Sequence, residues 1–261
     1  MRRIWAITRN TFREAVRNKI LYSLLFFAVL IILSALAVGR LSLHEEIRMT
    51  RDVGLFGIDL FGVIIAIFVG VNLLYKELEL KTVYRILPKP LHRWEFVLGK
   101  WLGMLLTLAV QMGVMALALG LTLAAQGAPL DTPMLKAVAL LYVNVMVVTS
   151  VAVLFSSFSS PFLSGFFALG FFAVGRSVPD IQALGQRVGG TTRTLFDAAV
   201  TVLPNLHLFY PSGGIVGAQN VSVHATFVDA HYMLWTTAYG VGYSLVVLLL
   251  AMLIFRRRDF V

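Results

Sequence analysis

Charged side chains that could bind a partner are concentrated in one polar segment, residues 76–100, between two long apolar runs. Glu77 and Lys81 are four positions apart, a spacing that lets them form an ion pair on one face of a helix. Pro88 and Pro90 end such a helix, because proline lacks an N–H group and restricts the backbone. This arrangement of carboxylates and cations suits docking to another protein and offers no chemistry for cleaving a bond.

The alternative for this segment is a solvated connecting loop, which is the usual role of a charged run. Connections between helices of a bundle are commonly about 2–8 residues long. This segment is longer, has a helical pattern over residues 76–87, a proline bend, and Trp94 placed to lie at a membrane–water boundary. We therefore favour a docking element over residues 76–97.

Asp59 is an ionisable residue inside an apolar stretch, about six residues or roughly 9 Å from its start by helical rise. Ionisable residues within a membrane are costly and are often functional. Two structural explanations also fit: the carboxylate could reach the outer membrane surface, or it could bond to a partner on a neighbouring helix. We consider Asp59 a candidate intramembrane polar site with a role in substrate binding or gating.

The sequence contains no strong motif for metal binding or enzymatic catalysis. His224 and His231 flank Asp229, but their spacing matches no strong metal signature. There is no cysteine, no Ser/His/Asp arrangement, and no Gly-rich phosphate-binding loop ending in Gly-Lys-Ser or Gly-Lys-Thr. We predict a protein that is not an enzyme and holds no metal or cofactor.

The composition places most of the chain in a membrane. Of its 261 residues, 59% are hydrophobic and 13% are charged, whereas a soluble domain has about 25% charged residues. The mean hydropathy is +0.84. In this context the net charge of +9 favours contact with anionic lipid over nucleic acid binding.

The apolar stretches predict six membrane spans. A hydrocarbon core of about 30 Å needs about 20 apolar residues, and five stretches are long enough: residues 20–39, 53–75, 98–125, 134–157 and 230–255. The shorter stretch 161–176 is counted because both cationic termini are expected in the cytosol, which requires an even number of spans. The two termini and the 76–100 segment carry 15 of the 22 Lys and Arg residues.

Residues 1–19 predict an amphipathic helix lying in the cytosolic interface of the membrane. On a helical wheel one arc carries Ile4, Trp5, Thr8, Phe12, Ala15 and Val16, and the opposite arc carries Arg2, Arg3, Arg9, Arg13 and Arg17. We expect the apolar arc to lie at the acyl boundary and the arginines to face lipid phosphate. Residues 177–229 predict short outer helices between spans five and six, because prolines and glycines interrupt them.

The order of motifs resembles that of type-2 ATP-binding-cassette (ABC) permeases over the whole chain. In residues 76–100 an acidic start is followed by Lys81-Thr82, Leu87-Pro88, an arginine and Gly99-Lys100, as in the loop between spans two and three of that family. Residues 9–18, 203–206 and 255–260 are similar to it as well. The pattern is most similar to the branch linked to maturation of multicopper enzymes.

The resemblance implies a coupling helix at residues 76–88 that docks on a cytosolic ATPase, the subunit that binds ATP and Mg²⁺. The implied contacts to that ATPase or to the base of the permease are Glu77, Glu79, Lys81, Thr82 and Arg85. It also implies two permease subunits per transporter, a bacterial cytoplasmic (inner) membrane location, and export as the direction of transport.

These observations predict an all-α integral membrane protein with one permease domain over residues 1–261. Within it we distinguish the interfacial helix (1–19), the cytosolic coupling loop (76–97) and the extracytoplasmic segment (177–229). The alternative is a membrane-embedded assembly or scaffold factor that moves no substrate. The presence of a partner ATPase would distinguish the two.

Overall fold

A computed structural model describes residues 2–41, 45–79, 93–128, 131–188, 203–210, 212–216, 219–222 and 229–257. Eight α-helices dominate it. In chain order the elements are α1 (Arg2–Val16), α2 (Lys19–Leu41), α3 (Glu46–Glu79), α4 (Arg93–Ala125), α5 (Thr132–Ser156), α6 (Pro161–Arg176), α7 (Val178–Val188), a 3-10 helix (Leu206–Phe209), β1 (Ser212–Val216), β2 (Gln219–Ser222) and α8 (Ala230–Arg257). The predicted all-α membrane fold is confirmed.

Five of these helices, α2, α3, α4, α5 and α8, are long and apolar enough to cross a membrane. The sixth candidate span is a bent pair: α6 and the first part of α7 meet at an angle of 58° around Ser177. With 16 residues, α6 is about 24 Å long, so it is shorter than the hydrocarbon core. The stretch that the sequence analysis counted as the fifth span is therefore the first arm of a broken helix.

The centre of the bundle is formed by α3 and α5. In the apolar stretch of α5, 72% of the residues are buried, whereas in that of α2 only 22% are buried. Helix α2 therefore lies at the periphery. Close packing of α3 on α5 depends on Gly70, where an added Cβ would lie 2.7 Å from the Cβ of Ala152. Two side-chain hydrogen bonds hold α4 and α3 to α5: Trp101 Nε1 donates to Ser150 Oγ at 2.9 Å, and Ser156 Oγ donates to the Val71 carbonyl at 3.3 Å.

The turn between α1 and α2 begins the bundle. The backbone N–H of Ile20 donates to Asn18 Oδ1 at 3.0 Å, so Asn18 caps the first turn of α2. We call this end of the bundle, where α1 lies and α2, α4 and α6 begin, the α1 end. At the opposite end, Gln126 Nε2 donates to Thr50 Oγ1 at 2.9 Å, which joins the end of α4 to the start of α3.

The region between α6 and α8 combines the expected short helices, α7 and the 3-10 helix, with a hairpin that the sequence analysis did not predict. Strands β1 and β2 pair antiparallel, with Ser212 opposite Ser222 and Val216 opposite Gln219. The β-branched Ile215, Val216 and Val221 favour an extended backbone, and Gly213 and Gly214 disfavour a helix. These local preferences explain the hairpin.

Candidate functional site: an ion pair inside the bundle and the α1–α4 contact

Asp59 lies on α3, about 20 Å along the helix from Glu46 by helical rise. Asp59 is only 4% exposed. Asn144 of α5 donates from Nδ2 to Asp59 Oδ1 at 2.9 Å, and Arg176 at the end of α6 donates from Nη1 to Asp59 Oδ2 at 2.9 Å. The second structural explanation considered for Asp59, a partner on a neighbouring helix, is the one observed, and there are two such partners.

Arg176 is held on its other side by an aromatic ring. Its guanidinium carbon lies 3.5 Å from the centroid of the Tyr210 ring, which is a favourable cation–π distance. Burial and the Asp59 carboxylate raise the pKa of Tyr210, while Arg176 opposes that shift.

Residues 203–210, which we call the cover segment, lie over this ion pair. Leu206 and Phe209 are fully buried. At Gly175, one residue before Arg176, an added Cβ would lie 3.0 Å from Leu206 and from the Pro204 carbonyl oxygen. The cover segment therefore contacts the end of α6 at the point where the chain bends.

Helix α8 holds the cover segment from the other side. Tyr232 donates its hydroxyl hydrogen to the Leu208 carbonyl at 2.8 Å, and the Asn205 N–H donates to the Tyr239 hydroxyl oxygen at 3.1 Å. The rings of Phe209 and Tyr239 are stacked with centroids 6.4 Å apart. The cover segment thus links the charged end of α6 to α8.

Asp59, Asn144, Arg176 and Tyr210 form one polar cluster where α3, α5, α6 and the cover segment meet. Removing one partner of a buried ion pair leaves an uncompensated charge, which costs about 3–5 kcal/mol. Asn144 Oδ1 accepts no hydrogen bond within the part of the chain described here, so the cluster has an unused acceptor. The sequence analysis placed Arg176 at a span end and did not pair it with Asp59; the apolar setting of both residues was the available signal.

A second structural feature is the close contact of α1 with the start of α4. An added Cβ at Gly99 would lie 2.8 Å from the Cβ of Ile7, and one at Gly103 would lie 2.5 Å from the Cβ of Thr11. Thr8 Oγ1 also donates to the Gly99 carbonyl at 3.2 Å. Gly99 and Gly103 are four positions apart and therefore lie on one face of α4, and this face is the surface that receives α1.

Lys100 adds a charged contact to the same interface. Its side chain is 2% exposed and its Nζ lies 3.4 Å from Glu14 Oε2. The ammonium also lies 5.9 Å from the centroid of the Phe96 ring. Because a buried cation needs such partners, Lys100 holds α1 and α4 in one relative position.

This contact revises the expected orientation of α1. Thr8 and Ala15, assigned to the lipid-facing arc, are buried together with Thr11, because the two glycines of α4 allow α1 to pack closely. Trp5 of that arc is 65% exposed, and Phe12 is half-buried. The arginines of the polar arc are exposed, as expected: Arg2, Arg3, Arg9, Arg13 and Arg17.

The predicted ATPase contacts lie partly outside the described residues. Glu77 and Glu79 are in the last turn of α3, which continues without a break from its apolar part. Lys81, Thr82 and Arg85 fall outside the described residues. The expected interfacial turn at Trp94 is the first turn of α4, which begins at Arg93, and Trp94 is 48% exposed.

The bundle of long apolar helices, with an ion pair enclosed among them, defines a multi-pass membrane protein. Residues 5–260 match the family described as ABC-2 family transporter protein. The chain belongs to this family and is a permease of the ABC transporter class. A comparison with curated proteins found no match.

Proposed function

We propose that this chain is the permease subunit of a bacterial exporter, driven through residues 76–97 by a separate cytosolic ATPase that holds ATP and Mg²⁺. Two permease subunits form the transporter, and both termini of each lie in the cytosol. The branch of the family is the one linked to multicopper-enzyme maturation, on the resemblance of residues 76–100. The proposed role is transport without catalysis in this chain, with ATP hydrolysis in the partner subunit.

The observation that carries this proposal is the continuity of α3. This helix has 34 residues and is about 51 Å long. It bears Asp59 inside the bundle and, about 27 Å further along by helical rise, Glu77 in its last turn. A displacement of its end near residue 79 by an ATPase would reach the ion pair with Arg176 through one rigid element.

The contact between α1 and α4 supports the same proposal, because α4 follows residues 80–92 in the chain just as α3 precedes them. Helix α4 begins at Arg93, immediately after that segment, and α1 packs on its first turns through Gly99 and Gly103. A force applied to residues 76–97 would therefore act on α3, α4 and α1 together. The contact of the cover segment with Arg176 and Gly175 at the other end suits an exporter that opens outward only when driven.

The experiment is copurification with an ATPase that contains a phosphate-binding loop and is encoded beside this permease. The variant Glu77→Ala/Glu79→Ala/Arg85→Ala should weaken ATPase binding at least about tenfold, as expected when charged contacts at a docking surface are lost. The matched control is Glu45→Ala/Arg48→Ala, which removes an exposed ion pair at the opposite end of the bundle. Equal binding by both variants would remove the coupling assignment, whereas a wild-type protein that copurifies with no such ATPase would favour the scaffold role.

Membrane orientation can be measured separately, because the chain contains no cysteine. The variant Lys89→Cys should react with a membrane-impermeant maleimide only from the cytosolic side, and Glu45→Cys only from the outside. Labelling of Lys89→Cys from outside would invert the topology and contradict the proposal.

A further inference from the structure

A polar pocket of about 780 Å³ lies at the α1 end, between the last turns of α1, the α1–α2 turn and Asn72 of α3. Its volume falls within the range of about 300–1,000 Å³ typical of ligand sites. It is separate from the Asp59–Arg176 pair, which lies inside the bundle. Its lining combines cations, amides and one carboxylate.

The charge of the pocket favours an anion. Arg13, Arg17 and Lys19 line it, and within the described part of the chain none of the three forms an ion pair with a carboxylate. Among the described lining residues the carboxylate is that of Glu14, which lies 3.4 Å from the buried ammonium of Lys100. The described lining therefore has a positive excess.

Hydrogen-bond donors add to this excess. Asn18 uses its Oδ1 to accept the Ile20 N–H, which leaves its amide hydrogens for other acceptors. The pocket also contains the first residue of α2, Lys19, where the positive end of the helix dipole favours negative charge. Cations, amides and a helix start on one pocket form a donor set suited to phosphate oxygens.

The position of the pocket identifies the source of the phosphate. Lys19 is the first residue of one candidate span and Asn72 is the last residue of another, so the pocket lies where the chain passes from apolar to polar surroundings. The next residues along α2 include Ile20 and Tyr22, which are 51% and 55% exposed. An acyl chain can lie along these side chains while its phosphate occupies the pocket.

We propose that this pocket binds the phosphodiester of an anionic membrane lipid. A lipid such as phosphatidylglycerol brings one negative charge and hydroxyl groups that the asparagines can bond. A zwitterionic choline lipid would instead place a quaternary ammonium beside Arg13, Arg17 and Lys19. The pocket therefore selects anionic over zwitterionic headgroups, and this selection does not depend on coupling to an ATPase.

The test is native mass spectrometry of the purified full-length protein, titrated with phosphatidylglycerol or with phosphatidylcholine of the same acyl chains. Phosphatidylglycerol should bind at least about tenfold more tightly, since basic residues near a membrane surface attract anionic lipid. The variant Arg13→Gln/Arg17→Gln should lose that preference. The variant Arg2→Gln/Arg9→Gln removes the same charge from the same helix outside the pocket and should retain it.

Several results would overturn the proposal. If both double variants lost the preference for phosphatidylglycerol equally, the lipid would be attracted by the overall positive charge of α1 and not bound at this pocket. Binding of inorganic phosphate that phosphatidylglycerol cannot displace would assign the pocket to a free anion. Unchanged lipid selectivity in Arg13→Gln/Arg17→Gln, together with loss of a bound ATPase, would make the pocket a protein-docking surface. All variants should first show the wild-type elution volume and unfolding temperature.

Discussion

Asp59 and Arg176 are 117 positions apart in the chain, and their carboxylate oxygen and guanidinium nitrogen lie 2.9 Å apart. The pair joins α3, whose last residues begin the proposed coupling loop, to α6 at its bend with α7. Asp59 is buried where apolar helices pack, and the partly exposed Arg176 supplies its countercharge. A movement of α3 would displace Asp59 and, through Arg176, the Tyr210 ring of the cover segment.

The first prediction concerns the ion pair itself. Arg176→Gln should lower the free energy of unfolding by about 3–5 kcal/mol, because the Asp59 carboxylate stays buried without its cation. The double variant Asp59→Asn/Arg176→Gln should recover part of that loss. Thermal unfolding in detergent measures both, with Arg48→Gln as an exposed control. A double variant less stable than Arg176→Gln would show that the pair is not the source of the loss.

The second prediction concerns the α1–α4 contact. Gly103→Leu should force α1 away from α4, because even a Cβ at this position would lie 2.5 Å from Thr11, at a cost of about 1–3 kcal/mol for overpacking. Gly113→Leu is the control on the same helix, since nothing lies within 4 Å of an added Cβ there.

Protease cleavage between α1 and α2 measures this separation. Gly103→Leu should be cleaved faster than the wild type, while Gly113→Leu should be cleaved at the wild-type rate. Equal cleavage of both variants would mean that α1 does not depend on the glycine surface.

The third prediction concerns the hydrogen bond between Trp101 and Ser150. Trp101→Phe removes the indole N–H that donates to Ser150 Oγ at 2.9 Å, and should cost about 1 kcal/mol plus the effect of the lost ring volume. Trp94→Phe makes the same chemical change at the start of α4, where the side chain is 48% exposed. The unfolding temperature of Trp94→Phe should stay near that of the wild type. A larger loss of stability in Trp94→Phe than in Trp101→Phe would contradict the assigned packing.

The fourth prediction concerns the pH dependence of the cover segment. Burial, followed by the charge of Arg176, lowers the pKa of His207 below its ordinary value of 6.5, with Asp180 opposing the shift. As the pH falls through about 6.5, the unfolded chain takes up a proton that the folded chain resists. The stability that the neutral imidazole contributes is therefore fully present above that pH and is lost below it.

Unfolding temperatures measured between about pH 8 and pH 5 test this direction against the ordinary titration range of histidine. His207→Gln should flatten the part of the decline that belongs to this group. A steeper decline in His207→Gln would reverse the sign assigned to His207.

Hydropathy, helical periodicity and charge were sufficient to predict the membrane fold, five of the long helices and the amphipathic α1. These properties depend on neighbouring residues and on the solvent they meet. Asp59 could be singled out for the same reason, since a carboxylate within an apolar run is costly wherever its partners lie. The short apolar stretch from Pro161 was recognised, but its bend at Ser177 was not.

The tertiary structure alone decided which residues meet. The partners of Asp59 come from α5 and α6, and the two glycines of α4 determined that Thr8 and Ala15 face protein. A helical wheel shows which face of a helix is apolar, but it does not show the shape of the helix that packs against that face. Close contact requires two complementary surfaces from distant parts of the chain, and only folding brings them together.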